Sequence, residues 1–136
     1  MTFVIKAGVY NPSGGSFAFH AQKTMYGGQD IASGDTIFVF ASENEGGLGL
    51  IASGVVTAVR GFPKKVGVAR QTPRVSIIVR RTALAKRRLG RNELKRFKKW
   101  NDGRPETELN FKFYRQATNK IAGISDRAAA FLRRFF

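Results

Sequence analysis

The sequence predicts an α+β domain of about six strands and three or four short helices in one compact unit, residues 1–136, with a central strand pair bent as a small barrel requires. Three observations carry this. Gly34 to Gly61 reads as two adjacent strands around a glycine-rich turn; the second strand carries Gly49 and Gly54, whose missing side chains allow a bulge, a bend or close approach to the backbone. A chain of 136 residues has the size of one domain and can bury roughly two thirds of its unfolded surface. The breakers are spaced as in a protein of short strands, with no internal repeat and no low-complexity segment.

Phe3 to Ala7 is a short apolar strand, and Gly8 to Ser16, with Asn11-Pro12-Ser13-Gly14-Gly15, is a loop. Ser16 to Ala21 starts an extended or irregular segment reaching Gly28, and Gln29 to Ser33 gives one helical turn. Asp35 to Ser42 is β-branched or aromatic at nearly every position, which predicts a strand covered on both faces. Glu43 to Gly47 forms the turn and Leu48 to Val59 the return strand. Phe62 to Arg74 is a basic loop with prolines near both ends, and Val75 to Val79 a further strand. Thr82 is read as the cap of a short helix ending before Gly90, and Asn92 as the cap of a second, with Leu94, Phe97 and Trp100 on or near one face. Leu109 to Tyr114 alternates well enough for a strand, continued briefly by Lys120 to Ile124. Ser125 and Asp126 start a terminal helix that docks through Ala129, Leu132 and Phe136.

Charge divides the chain unevenly. Residues 1–59 hold two bases and four acids, residues 60–104 sixteen bases and two acids, and residues 105–136 six bases and three acids. The +14 of the middle segment is the footprint of a polyanion partner, since each neutralised phosphate releases counterions. Arg60, Lys64, Lys65, Arg87, Arg88, Arg91, Lys95, Arg96 and Lys99 are the phosphate-binding residues it suggests. The competing readings are a generally basic surface and a module docking an acidic protein. Glu93 alone offers the basic stretch from Lys86 to Lys99 little i,i+4 pairing.

Other classes are limited by what the residues lack. Without cysteine there is no disulfide framework and no thiolate metal site. His20 is the only histidine, read as a partly buried structural residue, and no metal or cofactor is implied. With no apolar run near ~20 residues and no basic leader at Met1, the expectation is a soluble, cytoplasmic protein without a membrane partner.

Phe3-Val4-Ile5-Lys6, Gly34-Asp35 followed by Phe38-Val39-Phe40-Ala41-Ser42, the glycine-bearing return from Leu48 to Val59, and Asn119-Lys120-Ile121-Ala122-Gly123-Ile124 before a final helix resemble, in order and spacing, the EVE branch of the PUA-like superfamily. The resemblance covers most of the chain. It implies a small bent barrel flanked by helices, with a concave pocket for a base, often modified, flipped out of RNA or DNA. Carried onto this sequence, the base pocket comprises Lys6, Ala7, Phe40, Ser42, Asn119 and Lys120. Relatives usually have a tryptophan between the first strand and the Gly-Asp strand; here Tyr10 or Tyr26 takes that place. The related ASCH branch includes hydrolases that depend on a lysine, a threonine and a glutamate, a comparison invited by Lys23-Thr24. Residues 10–34 contain no glutamate, so the implied role is binding without catalysis.

Overall fold

A computed structural model describes residues 1–62 and 73–136. Six strands, β1 (Thr2–Ala7), β2 (Ser16–Met25), β3 (Thr36–Ala41), β4 (Gly49–Phe62), β5 (Arg74–Leu84) and β6 (Lys120–Ile124), close into a barrel in the order β1-β3-β4-β5-β2-β6. The helices are α1 (Arg91–Leu94), α2 (Pro105–Asn110), which continues as a π-helical turn over Phe111–Arg115, and α3 (Asp126–Arg133). Short 3₁₀ turns occupy Gly28–Asp30 and Glu43–Glu45. Among the described residues no helix is long and apolar enough to cross a membrane.

Two apolar clusters explain the strand sequences. Phe3, Ile5, Ile37, Val39, Val79 and Ile121 fill the barrel. Val4, Phe38, Ala122 and Ile124 point the other way, into a second core with Leu109, Phe113, Ala129 and Leu132 of the helices. Strands β1, β3 and β6 are therefore apolar on both faces. β5, with one face in solvent, alternates.

Both glycines singled out in the return strand are required. Gly49 has φ +89, and a Cβ there would lie 2.3 Å from the Leu89 carbonyl oxygen. A Cβ on Gly54 would lie 2.5 Å from Val79 Cγ1, next to a bulge in the β4–β5 ladder. In α3, Ser125 Oγ accepts from Ala128 N at 3.1 Å, and Ala129 and Leu132 are buried, as the sequence indicates.

Four local readings are corrected. Residues 82–84 are not the start of a helix: β5 runs on to Leu84, paired Ser53↔Ala83 and Ala52↔Leu84, and ladder bonding overrides the Thr82 cap signal. Leu109 to Tyr114 is not a strand. Leu109 and Phe113 share a face at period 2 and at spacing i,i+4, and Pro105 at the first helical turn selects the helix. The helix expected from an Asn92 cap is a single turn that starts before it: Gly90 is the N-cap, its N donating to Glu93 Oε1 at 2.8 Å, and the turn buries Leu94 and leaves Trp100 79% exposed in the following loop. The segment from Ser16 is a long strand, on whose outer face His20 is exposed, with Nδ1 3.3 Å from Ser76 Oγ.

Candidate nucleic-acid interface

The functional geometry begins with a defect in β2. Its pairing with β5 shifts register between Phe19 and Gln22, and Ala21 there adopts φ +47, a strained conformation for a residue with a Cβ. Ala21 N donates to Ser76 Oγ at 2.8 Å, and Arg74 Nη1 donates to the Ala21 carbonyl at 2.9 Å. Beyond the bulge β2 resumes pairing with β5 through Gln22↔Val75 and Lys23↔Arg74, and then passes to β6, parallel, through Thr24↔Ile121 and Met25↔Ala122. The strand that changes partners opens a cleft of about 380 Å³ at this end of the barrel. That size lies in the range of about 300–1,000 Å³ typical of small-ligand sites.

Ser42, Asn44 and Glu45 form one side of the cleft, Thr118 and Asn119 the second, and Gln22, Lys23 and Arg74 the third. Ser42 follows β3, and its N donates to the Ala7 carbonyl at 2.8 Å. Its Oγ is buried without a hydrogen-bond partner among the described residues, an uncommon state for a hydroxyl, and one a ligand can relieve. Asn119 Nδ2 donates to Glu45 Oε2 at 2.7 Å across the mouth. The neighbouring Glu43 instead faces the fold: its carboxylate accepts from Arg91 N at 2.7 Å and from Tyr114 Oη at 3.1 Å. Burial, then Glu43, raises the Tyr114 pKa, so the phenol stays protonated.

Of the residues assigned to the pocket by resemblance, Ser42 and Asn119 come together in the cleft, while Ala7 does not line it and touches it only through its carbonyl, which accepts from Ser42 N. The others lie elsewhere. Lys6 (1% exposed) and Lys120 (0%) are sealed below the cleft. Lys6 Nζ donates to the Phe113 and Ala117 carbonyls, each at 2.8 Å, and Lys120 Nζ to those of Gln116, at 2.8 Å, and Lys112. Both ammonium groups thus satisfy the orphan carbonyls that end the α2–π helix, where a cation is also favoured by the helix dipole. Burial, partly offset by Glu43, lowers the Lys6 pKa; burial and then Lys6 bring Lys120 down to about 8.

Phe40 is a core residue stacked on Phe113, ring centroids 6.2 Å apart at 5°. Tyr10 is fully exposed in the β1–β2 loop, and Tyr26 donates its Oη to Gln116 Oε1 at 3.0 Å beneath the Lys112 ammonium. Neither tyrosine lines the cleft, so among the described residues no aromatic ring takes the place of that tryptophan.

The basic residues separate similarly. Arg91 Nη2 donates to Asn44 Oδ1 at 2.9 Å, at the edge of the cleft. Lys95, Arg96 and Lys99 are exposed beyond it. Arg60 borders a separate apolar groove on the outer face of β2, β4 and β5. Arg87 is occupied at the C-terminus, its guanidinium 4.5 Å from the Phe135 ring centroid and bonded to the Arg134 carbonyl, and Arg88 lies 3.9 Å from Glu93. Lys64 and Lys65 lie outside the described residues.

Sequence reasoning missed Lys23 and Arg74 as site residues. They oppose each other in the β2–β5 register, a long-range pairing with no local signal beyond the two charges. Lys23 had been noted only for the hydrolase comparison, but its neighbour Thr24 is buried and donates Oγ1 to the Pro73 carbonyl at 2.7 Å, leaving no reactive hydroxyl in the cleft from that residue.

A small mixed barrel with one helical layer, opened where a bulged strand changes partners, is the bent α+β barrel that the sequence predicts. No family model matches the chain, and no curated protein does. Among solved structures it is similar to the DUF55 domain of human thymocyte nuclear protein 1, with TM-score 0.62 and 10% identity over 96% of this chain and 95% of that one. It is also similar to a Pseudomonas syringae protein, with TM-score 0.61 and 13% identity over the whole of both chains. A third similar structure, at TM-score 0.62, 12% identity, and 96% and 94% coverage, is human THYN1 in complex with 5-methylcytosine containing DNA. At these identities the likeness establishes the fold.

Proposed function

We propose that this chain is a nucleic-acid-binding domain that takes one base, extruded from DNA or RNA, into the cleft and binds it without catalysing a reaction. The observation that carries the reading is the buried, unpartnered Ser42 Oγ on the wall of a polar cleft flanked by Lys23 and Arg74. A hydroxyl in that state gains a hydrogen bond when a base edge enters. Glu45 Oε2 is an acceptor suited to an exocyclic amine, which favours cytosine or adenine over thymine or uracil. With no aromatic ring in the cleft, the flat guanidinium of Arg74 is the group that stacks on the base face. Lys23, Arg91, Lys95, Arg96 and Lys99 hold the flanking phosphates. Because a structural neighbour is bound to DNA containing 5-methylcytosine, that base is the first ligand to try.

Fluorescence anisotropy titrations of matched DNA duplexes with cytosine or 5-methylcytosine, and of the corresponding RNA, over a salt series provide the test. One base is expected to bind several-fold better, with all curves sharing a salt slope of about −0.9 per neutralised phosphate. Ser42→Ala is expected to remove the base preference and leave the slope unchanged. Equal binding to every sequence, unaltered by Ser42→Ala, would sink the base-reading half; binding of acidic proteins in place of nucleic acid would sink the whole.

A further inference from the structure

We infer that Trp100 is a second contact for nucleic acid, a stacking platform for an unpaired base, separate from the cleft. The inference takes its ligand class from the preceding reading. Its residues are different ones.

Trp100 is 79% exposed, whereas the aromatic rings of β3 and the helices are mostly in the core. It stands in the loop between α1 and α2, where it lines a groove of about 300 Å³ with Arg104, Glu108 and Phe111. A second groove of about 620 Å³, which shares Arg104, is lined also by Arg96, Lys98, Lys99, Asp102 and Glu106. A large exposed apolar ring amid bases is the pattern of single-strand recognition, where cations track the phosphates and a ring takes the base.

The acids nearby are outnumbered, since Arg96, Lys98, Lys99 and Arg104 stand against Asp102 and Glu106 in the larger groove, and Asp102 is tied into the loop. Its Oδ1 accepts from Arg104 N and its Oδ2 from Thr107 Oγ1, both at 3.0 Å, at the start of α2. The loop is pinned at further points: Asn110 Nδ2 donates to the Phe97 carbonyl at 3.0 Å, and Arg127 Nη1 to the Gly103 carbonyl at 2.7 Å, with Gly103 at φ +70. A ring held on a braced loop loses little freedom when a base settles on it. From this loop α2 and the π turn, residues 105–115, lead to the rim of the cleft. At 1.5 Å per residue that is on the order of 16 Å, so one strand can touch both sites.

Trp100 is the only tryptophan, so its emission reports on this loop alone. The experiment titrates the whole chain with a fluorescently labelled single-stranded oligonucleotide and with a blunt, fully paired duplex, following label anisotropy and tryptophan emission together. The single strand is expected to quench the emission saturably, in step with the anisotropy, and the duplex to quench it much less. Trp100→Ala should weaken single-strand binding about tenfold, as loss of one stacked base does, and Trp100→Phe should retain most of the affinity. Because the side chain is exposed, both variants should keep the parent's melting temperature. Strand binding with unchanged emission and an unaffected Trp100→Ala variant would overturn this inference and leave the nucleic-acid reading standing. So would equal quenching by the duplex. No binding by anisotropy would overturn both.

Discussion

The wall made by β1, β3 and β6 and the wall made by β2, β5 and the second half of β4 belong to one barrel but serve different ends. The first is apolar on both faces because α2, α3 and the C-terminal phenylalanines cover its outside, and every residue of β1 and β6 is buried. The second carries Arg74, Ile78 and Arg80 into solvent on alternate positions. The cleft lies where the walls meet, between the bulge at Ala21 and the point past Lys23 where β2 passes from β5 to β6. It draws Ser42 and Asn119 from beside the covered wall and Lys23 and Arg74 from the open one. Buried apolar packing thus dominates one surface and exposed charge the other, and the two share a border at the cleft.

The division can be broken most forcefully at Phe113, which is buried in the second core against Phe40. Phe113→Ala is expected to cost about 3–5 kcal/mol in urea denaturation, whereas Ile78→Ala, on the exposed face of the second wall, should stay within about 0.5 kcal/mol. Similar losses at both positions would abolish the distinction. The next largest effect falls on binding. Lys23→Ala with Arg74→Ala is expected to weaken nucleic-acid affinity and, through the phosphate contact of Lys23, flatten the log–log salt slope by about 1, with little change in the denaturation midpoint. A collapse of stability without a change of slope would mean that these cations serve the fold.

A smaller effect is expected at the α3 cap, which belongs to the covered wall: Ser125→Ala should cost about 1 kcal/mol in the same denaturation assay. The smallest is pH dependence. The folded-state pKa of Lys120, about 8, lies below its ordinary value of 10.5. Between these values the unfolded chain binds more protons than the folded one, so this group makes stability rise with pH from about 8 towards 10, and below pH 8 it adds no slope. Lys6 is shifted in the same direction by the same cause, burial. Denaturant midpoints measured between pH 7.5 and 9.5 should therefore climb, and Lys120→Met should flatten the climb.

What could be read from the sequence follows the range of the forces involved. The run from Thr36 to Ala41 declares a strand covered on both sides, and Ser125 declares a helix start, because both signals lie within a few residues. Leu109 to Tyr114 was ambiguous in principle, since residues 109 and 113 share a face in either structure. Lys6 and Lys120 illustrate a deeper limit. A lysine in a strand reads as a cation for a ligand, and only the tertiary fold reveals that Lys6 caps a helix end more than 100 residues away. Ser42 and Asn119 were legible through the order of the motifs. Lys23 and Arg74 required the β2–β5 register, and the exposure of Trp100 required knowing that α1 stops after one turn.

The most direct measurement on the cleft is 2-aminopurine fluorescence, with the probe placed beside a cytosine or 5-methylcytosine in a duplex and titrated with the chain and with its Ser42→Ala variant. Extrusion of the neighbouring base unstacks the probe. The expected result is a saturable rise in its emission with the parent chain, larger for the preferred base and strongly reduced for Ser42→Ala, at concentrations where anisotropy reports both proteins bound. Binding by both proteins with no rise in emission would mean that the duplex stays stacked and that the cleft does not receive a base.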